Sequence, residues 1–376
     1  MNIYLLTETE SGCYKWRAAI PAKYLRRRGH TVQIFGQPEC ASKPDVLVFF
    51  RGYVVDAQPL YEWCRKLGIR VVFDTDDALD LVPPENANYH ALREGGRSYD
   101  FLLRRADLVT TTTEELAGHL RQHNPNVVVL PNSVDPEEWH VPPRREQLRV
   151  GWSGSCTHFM DLAMVLDAVR ELHRHRDFRF VLQGICSHAS IQEFYDVNLA
   201  AHGRRLLESG FGRAFQHFLK KLRGMSYEFH PSVEVGAHAR QVSGLALDVG
   251  IAPLLEGPFN RHKSCIKYYE YAMSGAVTLA SRTLPYLQEA PLLVKNNQRA
   301  WREKLEWLLD ADRQRLWREQ REWVLEHRNM QRNVRLWEQA YTGDHLTLEK
   351  DPPCAICSGS HDDTGMLPYQ REAVGA

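Results

Sequence analysis

The sequence predicts an α/β protein made of two parallel-sheet units with long helices towards its end. Three observations carry this. Short β-branched runs alternate with helical stretches from residue 2 to about residue 130. The segment His140–Glu146, with two prolines and several charges, interrupts that pattern, and a second alternation of the same kind follows it. From Ala300 to Tyr341 the spacing is helical only, rich in Trp, Arg and Glu. Parallel strands need crossover connections, which helices supply with a right-handed turn, so each unit reads as Rossmann-like.

The elements follow in order. Asn2–Leu6 is an apolar strand that runs into a polar loop, Thr7–Tyr14. Trp16, Ile20 and Tyr24 recur at helical spacing, which makes Trp16–Arg28 a helix with Gly29 as its stop. Strands are expected at Thr31–Phe35, Val46–Phe50, Val71–Phe73, Leu108–Thr111 and Val127–Leu130. Beyond the linker, Leu148–Trp152 is a strand ending in Ser153-Gly154-Ser155, with Thr157 placed to cap the next helix. Phe178–Gln183 is another strand, closed by Gly184, and residues 190–223 form a long helical insertion. Leu245–Pro253, Ala276–Ala280 and Leu292–Val294 supply the remaining strands. The expected division is a first domain of 1–145 plus part of the C-terminal helix (about 325–343), a second of 146–324, and an irregular tail, 344–376. Sheets of this kind bind ligands at the carboxyl ends of their strands, so the cleft between the units is the expected site.

Composition narrows the classes. The 376 residues hold 43% hydrophobic side chains, enough for a core in each of two domains, and exclude disorder over most of the chain. Lys and Arg number 47 and so do Asp and Glu, which argues against a protein whose main task is to coat polyanions. No run approaches the length of a membrane-spanning helix. Met1–Glu8 turns acidic too early for a secretory signal, and the eight cysteines are scattered, so a cytoplasmic protein with reduced thiols is expected.

The chemistry concentrates between Asp248 and Ser281. A buried strand ends at Pro253, a polar loop follows, and a helix carries Lys263, Lys267 and Glu270 at spacings of four and three, hence on one face. Two readings stay open on spacing alone. One is a solvated helix face with a Lys–Glu pair. The other is a diphosphate held by cations near a helix start, with a carboxylate one turn on for a ribose diol.

This stretch resembles the donor-binding motif of GT-B glycosyltransferases of the retaining family 4-like group (glycosyl transferases group 1). The resemblance implies a GT-B architecture, two Rossmann-like domains facing across a cleft, with long C-terminal helices. In that group a Glu on the helix before a small-Gly-x-Val strand binds the nucleotide ribose, and Glu270, five residues before Gly275, matches it. A further Glu eight residues earlier contacts the donor sugar in the better-known form; His262 stands there, which passes sugar contacts to Asn260, His262 or Lys263. A branch with Asn-x-x-Lys-Ser-x-x-Lys-x-x-Glu matches Asn260, Lys263, Ser264, Lys267 and Glu270. Arg149–His158 resembles the first strand and loop of the donor domain, where Ser153, Gly154 and Ser155 let backbone amides approach phosphate. Pro131–Pro136 with Trp139 resembles the exit of the first domain. The likeness covers roughly residues 1–340.

In the first unit, Asp74, Asp76 and Asp77 follow a strand. The run suits a hard cation, but the resemblance implies no metal, and Asp76 and Asp77 are placed on the acceptor side. The loop Ser11–Arg17 occupies the place of the glycine-bearing loop that faces the donor, with Gly12 allowing close approach and Arg17 in reach of phosphate. Candidate catalytic residues are therefore Lys263, Glu270, Asp76 and Asp77. Lys23 with Arg26–Arg28 form a basic patch at a helix end, read as dipole complementarity or as a phosphate-steering surface. Cys354-x-x-Cys357 with His361 is half a zinc site at most. The tryptophans from Trp301 to Trp337 read as packing, with the last helix crossing back to the first domain.

The implied activity is transfer of a sugar from a UDP- or GDP-sugar to an acceptor hydroxyl, with retention and with no further cofactor. The acceptor is a saccharide or lipid-linked glycan, or else a hydroxymethylated base in DNA. A nucleotide-sugar epimerase and a non-catalytic nucleotide-sugar-binding module are the rivals.

Overall fold

A computed structural model of the chain describes residues 1–7, 11–35, 43–51, 56–86, 89, 96–184 and 210–343. The first sheet holds β1 (Asn2–Leu6), β2 (Thr31–Phe35), β3 (Val46–Phe50), β4 (Arg70–Asp74), β5 (Leu108–Thr111) and β6 (Val127–Val129). The second holds β7 (Arg149–Gly154), β8 (Arg179–Gly184), β9 (Glu228–His230), β10 (Val249–Ala252), β11 (Val277–Ser281) and β12 (Leu293–Val294). Their orders are β2-β1-β3-β4-β5-β6 and β12-β11-β10-β7-β8-β9, and neighbouring strands are parallel throughout. Strand order reverses between β1 and β3 in the first sheet and between β7 and β10 in the second. Those two points open crevices at the strand carboxyl ends.

Helices on both faces bury the sheets, which is why β3, β10 and β11 read as unbroken apolar or small runs. One apolar cluster joins the two units, with Trp16, Tyr24 and Leu25 packed into the same body as Tyr269, Val334 and Trp337. Among the described residues no helix is long and apolar enough to cross a membrane.

Several local expectations change. The helix expected at Trp16–Arg28 begins at Gly12, capped by Ser11, and passes through a π turn at Lys15–Ala19 into Ile20–Arg27. Pro21 follows that turn and lacks the amide an α-helical bond would need. Thr157 does not cap: its hydroxyl meets that of Ser155, and the Phe159–Leu172 helix starts at His158 after a 3-10 turn. The strand β9 carries too little apolar pattern to be read from sequence. Of the expected 190–223 helical stretch, Gly210–Leu222 is a helix and residues 185–209 lie outside the described residues. The single run Ala300–Tyr341 is three helices, Gln298–Asp310, Arg313–His327 and Met330–Thr342, because Asp312 and Asn329 cap new starts inside it. Cys354, Cys357 and His361 lie outside the described residues.

The basic patch is consumed by the fold. Lys23 and Arg27 both hold Glu137, Lys23 also holds Asp135, Arg26 donates to the Val32 carbonyl, and Arg28 pairs with Glu338 on the last helix. Tyr24 donates to Asp135 at 2.7 Å, and Val134 bridges to Asn329. The Ile20–Arg27 helix therefore clamps the chain where it leaves the first sheet, together with the helix that returns to it.

Arg17 does not face the cleft. It is 3% exposed, forks onto both oxygens of Asp74 at 3.0 and 2.7 Å, and donates to the Leu130 carbonyl and to Asn132. A buried charge that loses its partner cannot regain water. Arg17→Ala is thus expected to lower stability by about 3–5 kcal/mol, read from the denaturant midpoint. A shift below about 1 kcal/mol would mean the pair behaves as if solvated.

Candidate active site in the interdomain cleft

The site is assembled at the second sheet's switch point. Strand β7 delivers Ser153, Gly154 and Ser155 to the crevice. The chain leaving β10 makes a 3-10 turn at Asn260–His262, extends at Lys263 and enters the Ile266–Ser274 helix. Gly275 ends that helix at a φ of 99°, the left-handed cap that glycine adopts without strain.

Lys267 reaches back to the end of β7. Its ammonium donates to the Ser153 carbonyl at 2.8 Å and lies 5.0 Å from the Trp152 ring centre. Gly154 leaves room for this: a Cβ there would stand 2.6 Å from Lys267 Nζ and 2.6 Å from the Trp152 ring. Ser153 is buried, its amide donating to the Tyr271 hydroxyl and its own hydroxyl to Gln183. Ser155 is exposed at the crevice and meets Thr157 at 2.7 Å.

Glu270, one turn on, is buried and its Oε1 lies 2.9 Å from His238 Nε2. Burial pushes its pKa up, but His238, Lys267 and Lys15 together hold it below the ordinary value. Lys263 is not on the helix face expected for it with Lys267 and Glu270: it stands in extended backbone before the helix begins at Ile266, and it faces the other domain. Its ammonium lies 4.4 Å from the Phe259 ring centre and 3.4 Å from Asp77 Oδ1.

Across the cleft, Arg51 stands just beyond β3 with a φ of 57°, a region that non-glycine residues rarely occupy. It donates to Asp76 at 2.5 Å, to Asp77 at 2.7 Å and to Cys13 Sγ at 2.9 Å. Burial opposes ionisation of Asp76, yet Arg51 beside it holds the carboxyl below its ordinary range. Burial drives the Cys13 thiol strongly upward, so it stays protonated. The three carboxylates of the Asp-x-Asp-Asp run are thus each faced by an arginine, Asp74 by Arg17 and the other two by Arg51. Gly12 lies exposed at the start of the first helix, with open space around it.

Of the remaining sequence candidates, Ser264 and His262 meet the first domain and Asn260 does not. Ser264 accepts from Asn132 at 2.9 Å. The His262 ring is buried, with Nδ1 2.6 Å from the Pro258 carbonyl, and lies 5.1 Å from the His119 ring of the first domain. Asn260 donates to the Leu255 carbonyl at 2.9 Å and shapes its own loop.

Sequence reasoning missed four cleft residues. Arg51 could have been found by the rule that ligands meet the carboxyl ends of strands. Lys15, 4% exposed and paired with Glu138, lies in the Ser11–Arg17 segment, between Gly12 and Arg17. His238 begins a helix behind the unread strand β9. His158 lies within a recognised segment with its partner Asp161 only three residues on, and that i, i+3 pair was the signal available.

No protein-family model matches the sequence, and no curated protein matches it by sequence comparison. Solved structures do match in fold. A glycosyltransferase from Rickettsia africae has a TM-score of 0.56 and 14% identity, over 93% of this chain and 99% of its own. An alpha-glucosyltransferase in complex with UDP-glucose and DNA containing an abasic site has a TM-score of 0.59 and 11% identity, over 91% and 98%. Anabaena HepE, in complex with UDP-glucose, has a TM-score of 0.57 and 11% identity, over 93% and 100%. The fold is therefore the GT-B architecture of glycosyltransferases, as the sequence resemblance implied.

Two outcomes follow from this geometry. Gly154→Ala is expected to destabilise by about 1–3 kcal/mol through the collision with Trp152 and Lys267, read by thermal melting. Glu270 and Asp76 ionise more readily folded than unfolded, so their stabilisation is complete above the ordinary carboxylate range and is lost as pH falls through the depressed folded values. Denaturant midpoints should decline on acidification below about pH 4.5, with a shallower decline in Glu270→Gln. An identical decline in that variant would show that Glu270 carries none of it.

Proposed function

We propose that this protein is a glycosyltransferase that moves a sugar from a UDP- or GDP-sugar to an acceptor hydroxyl, with retention at the anomeric carbon. The observation that carries the reading is the set Lys263, Lys267 and Glu270: Lys267 meets the end of β7 at a topological switch point, Glu270 is one turn on, and Lys263 meets Asp77 across the cleft. In this reading, residues 146–324 bind the donor, and residues 1–145 with part of the last helix (325–343) present the acceptor.

The chemistry follows from charge. A diphosphate entering the cleft offers Lys263 a stronger partner than Asp77, and Lys263 and Lys267 then neutralise the charge that grows on the leaving group. Glu270, kept ionised by His238 and the lysines, accepts hydrogen bonds from the ribose hydroxyls. Asn260, Ser264 and His262 fix the loop and the domain contact that aim Lys263. Gly12 and Ser155 leave the cleft mouth open from either side. Asp77, released from Lys263, is free to orient an acceptor hydroxyl, and Asp76 stays bound to Arg51. The neighbours solved with UDP-glucose support a nucleotide-sugar donor.

A saccharide or lipid-linked glycan is the acceptor favoured here, because the basic patch on the first helix is spent on internal pairs. A second reading, a hydroxymethylated base in DNA, draws on an alpha-glucosyltransferase solved with a 13-mer DNA containing an HMU base, at 10% identity and a TM-score of 0.57. Such an activity would weaken steeply with salt.

The test is nucleoside diphosphate release from UDP- and GDP-sugars, with small acceptors, glycans and modified DNA supplied in turn. Acceptor-dependent release is expected, with Lys263→Ala and Glu270→Ala each losing on the order of 100-fold in rate or donor affinity. Conversion of the donor with no acceptor present would indicate an epimerase instead. Binding without turnover across all acceptors would indicate a binding module.

A further inference from the structure

His158 follows the Ser153–Ser155 turn that Lys267 reaches, feels the charge of Lys267 and Lys263, and has no role in the mechanism above. It closes the turn after β7 and begins the Phe159–Leu172 helix. Its Nδ1 lies 2.8 Å from Asp161 Oδ2. Asp161 is 5% exposed and is fixed in turn by the Leu255 amide, 2.7 Å from its other oxygen. Leu255 follows β10, so this chain of bonds ties together the two strand ends that flank the switch point. A carboxylate on Nδ1 keeps a proton there and orients the ring. The other nitrogen, Nε2, carries no hydrogen bond among the described residues.

The charged groups that act on the ring are Asp161 from its own helix and Lys267 and Lys263 from the facing segment. Burial does most to lower its pKa, the Asp161 hydrogen bond opposes this, and the two lysines lower it further. In the free protein Nε2 is therefore held without its proton.

We propose that His158 is a leaving-group contact: its Nε2 gains a proton as a nucleotide sugar binds and donates a hydrogen bond to a diphosphate oxygen. This rests on reading the cleft as a donor site. During transfer the bond from the anomeric carbon to the diphosphate oxygen breaks, and its electron pair stays on that oxygen. The acceptor oxygen forms the new bond, and its proton leaves with the diphosphate. The proton on Nε2 remains there throughout and supplies a hydrogen bond, not an acid step.

The direction of the pH effect is fixed by linkage. Bound diphosphate favours the imidazolium, so the pKa of His158 rises from its lowered free value on binding. Donor affinity then falls as pH rises through the window between those two values, by up to about tenfold per pH unit.

UDP-glucose is a suitable probe, because its diphosphate diester does not titrate near neutrality. Titration calorimetry in two buffers of different ionisation enthalpy counts the protons taken up. The wild type is expected to take up a substantial fraction of one proton per UDP-glucose bound within that window. His158→Gln is expected to take up none and to bind with an affinity flat across the same pH range. Wild-type binding with no proton uptake overturns the role of His158 while leaving the donor site standing, and that count decides even if the variant does not fold. Uptake that persists unchanged in His158→Gln overturns it too. Failure of the wild type to bind any UDP- or GDP-sugar overturns the donor reading itself.

Discussion

Every strand of both sheets runs parallel to its neighbours, and the rest of this structure depends on that constraint. In a parallel sheet all carboxyl ends lie along one edge, and the loops that leave them are the only segments free of ladder bonds on that side. Each sheet adds a point where strand order reverses, which opens a crevice between two such loops. The two sheets face each other, so Ser153–Ser155 and the Asn260–Glu270 segment look across at Arg51, Asp76 and Asp77. The clamp between the Ile20–Arg27 helix, the Asp135 turn and the returning last helix holds them in that relation.

Charge is distributed by the same geometry. The chain is neutral as a whole, yet its ionic groups sort into two kinds. Arg17 with Asp74, and the pairs around Glu137 and Glu338, are closed contacts that fix elements to one another. Arg51, Asp76, Asp77, Lys263, Lys267 and Glu270 form an open series across the cleft, in which Lys263 and Asp77 meet at 3.4 Å. Its loosest pair is Lys263–Asp77, so an anion entering the cleft would draw Lys263 first, while Arg51 keeps Asp76 and Asp77 paired. The depressed pKa of Glu270 and Asp76 keeps both carboxylates ionised beside their cations.

Much of this was legible before folding. Strands β1 to β8 and β10 to β12 announce themselves because a doubly covered strand has to be apolar on both faces. The spacing of Lys267 and Glu270 needs only the helical repeat to bring them together, whereas Lys263, three residues before the helix, is placed by the loop. Strand β9 is an edge strand of three half-buried residues and leaves no such signature. The three C-terminal helices read as one because capping by Asp312 and Asn329 depends on where the chain turns, and apolar spacing says nothing of that. Arg17 shows the converse error. Its place in a glycine-bearing loop suggested a ligand, but the side chain folds inward to a carboxylate 57 residues away.

The sequence by itself determined the two-sheet α/β plan and the helix face that carries Lys267 and Glu270, since each depends on patterns within a few residues. Only the tertiary structure decided which charges face the cleft and which are spent on the fold. It put Asp161 on His158, His238 on Glu270 and Arg51 on Asp76 and Asp77. Most of these pairs join different elements, and even the Asp161 contact gains its place in the site from the β10 loop. The physical reason is that a charge buried in the interior needs a counter-charge, and which one it meets is set by packing, not by order along the chain.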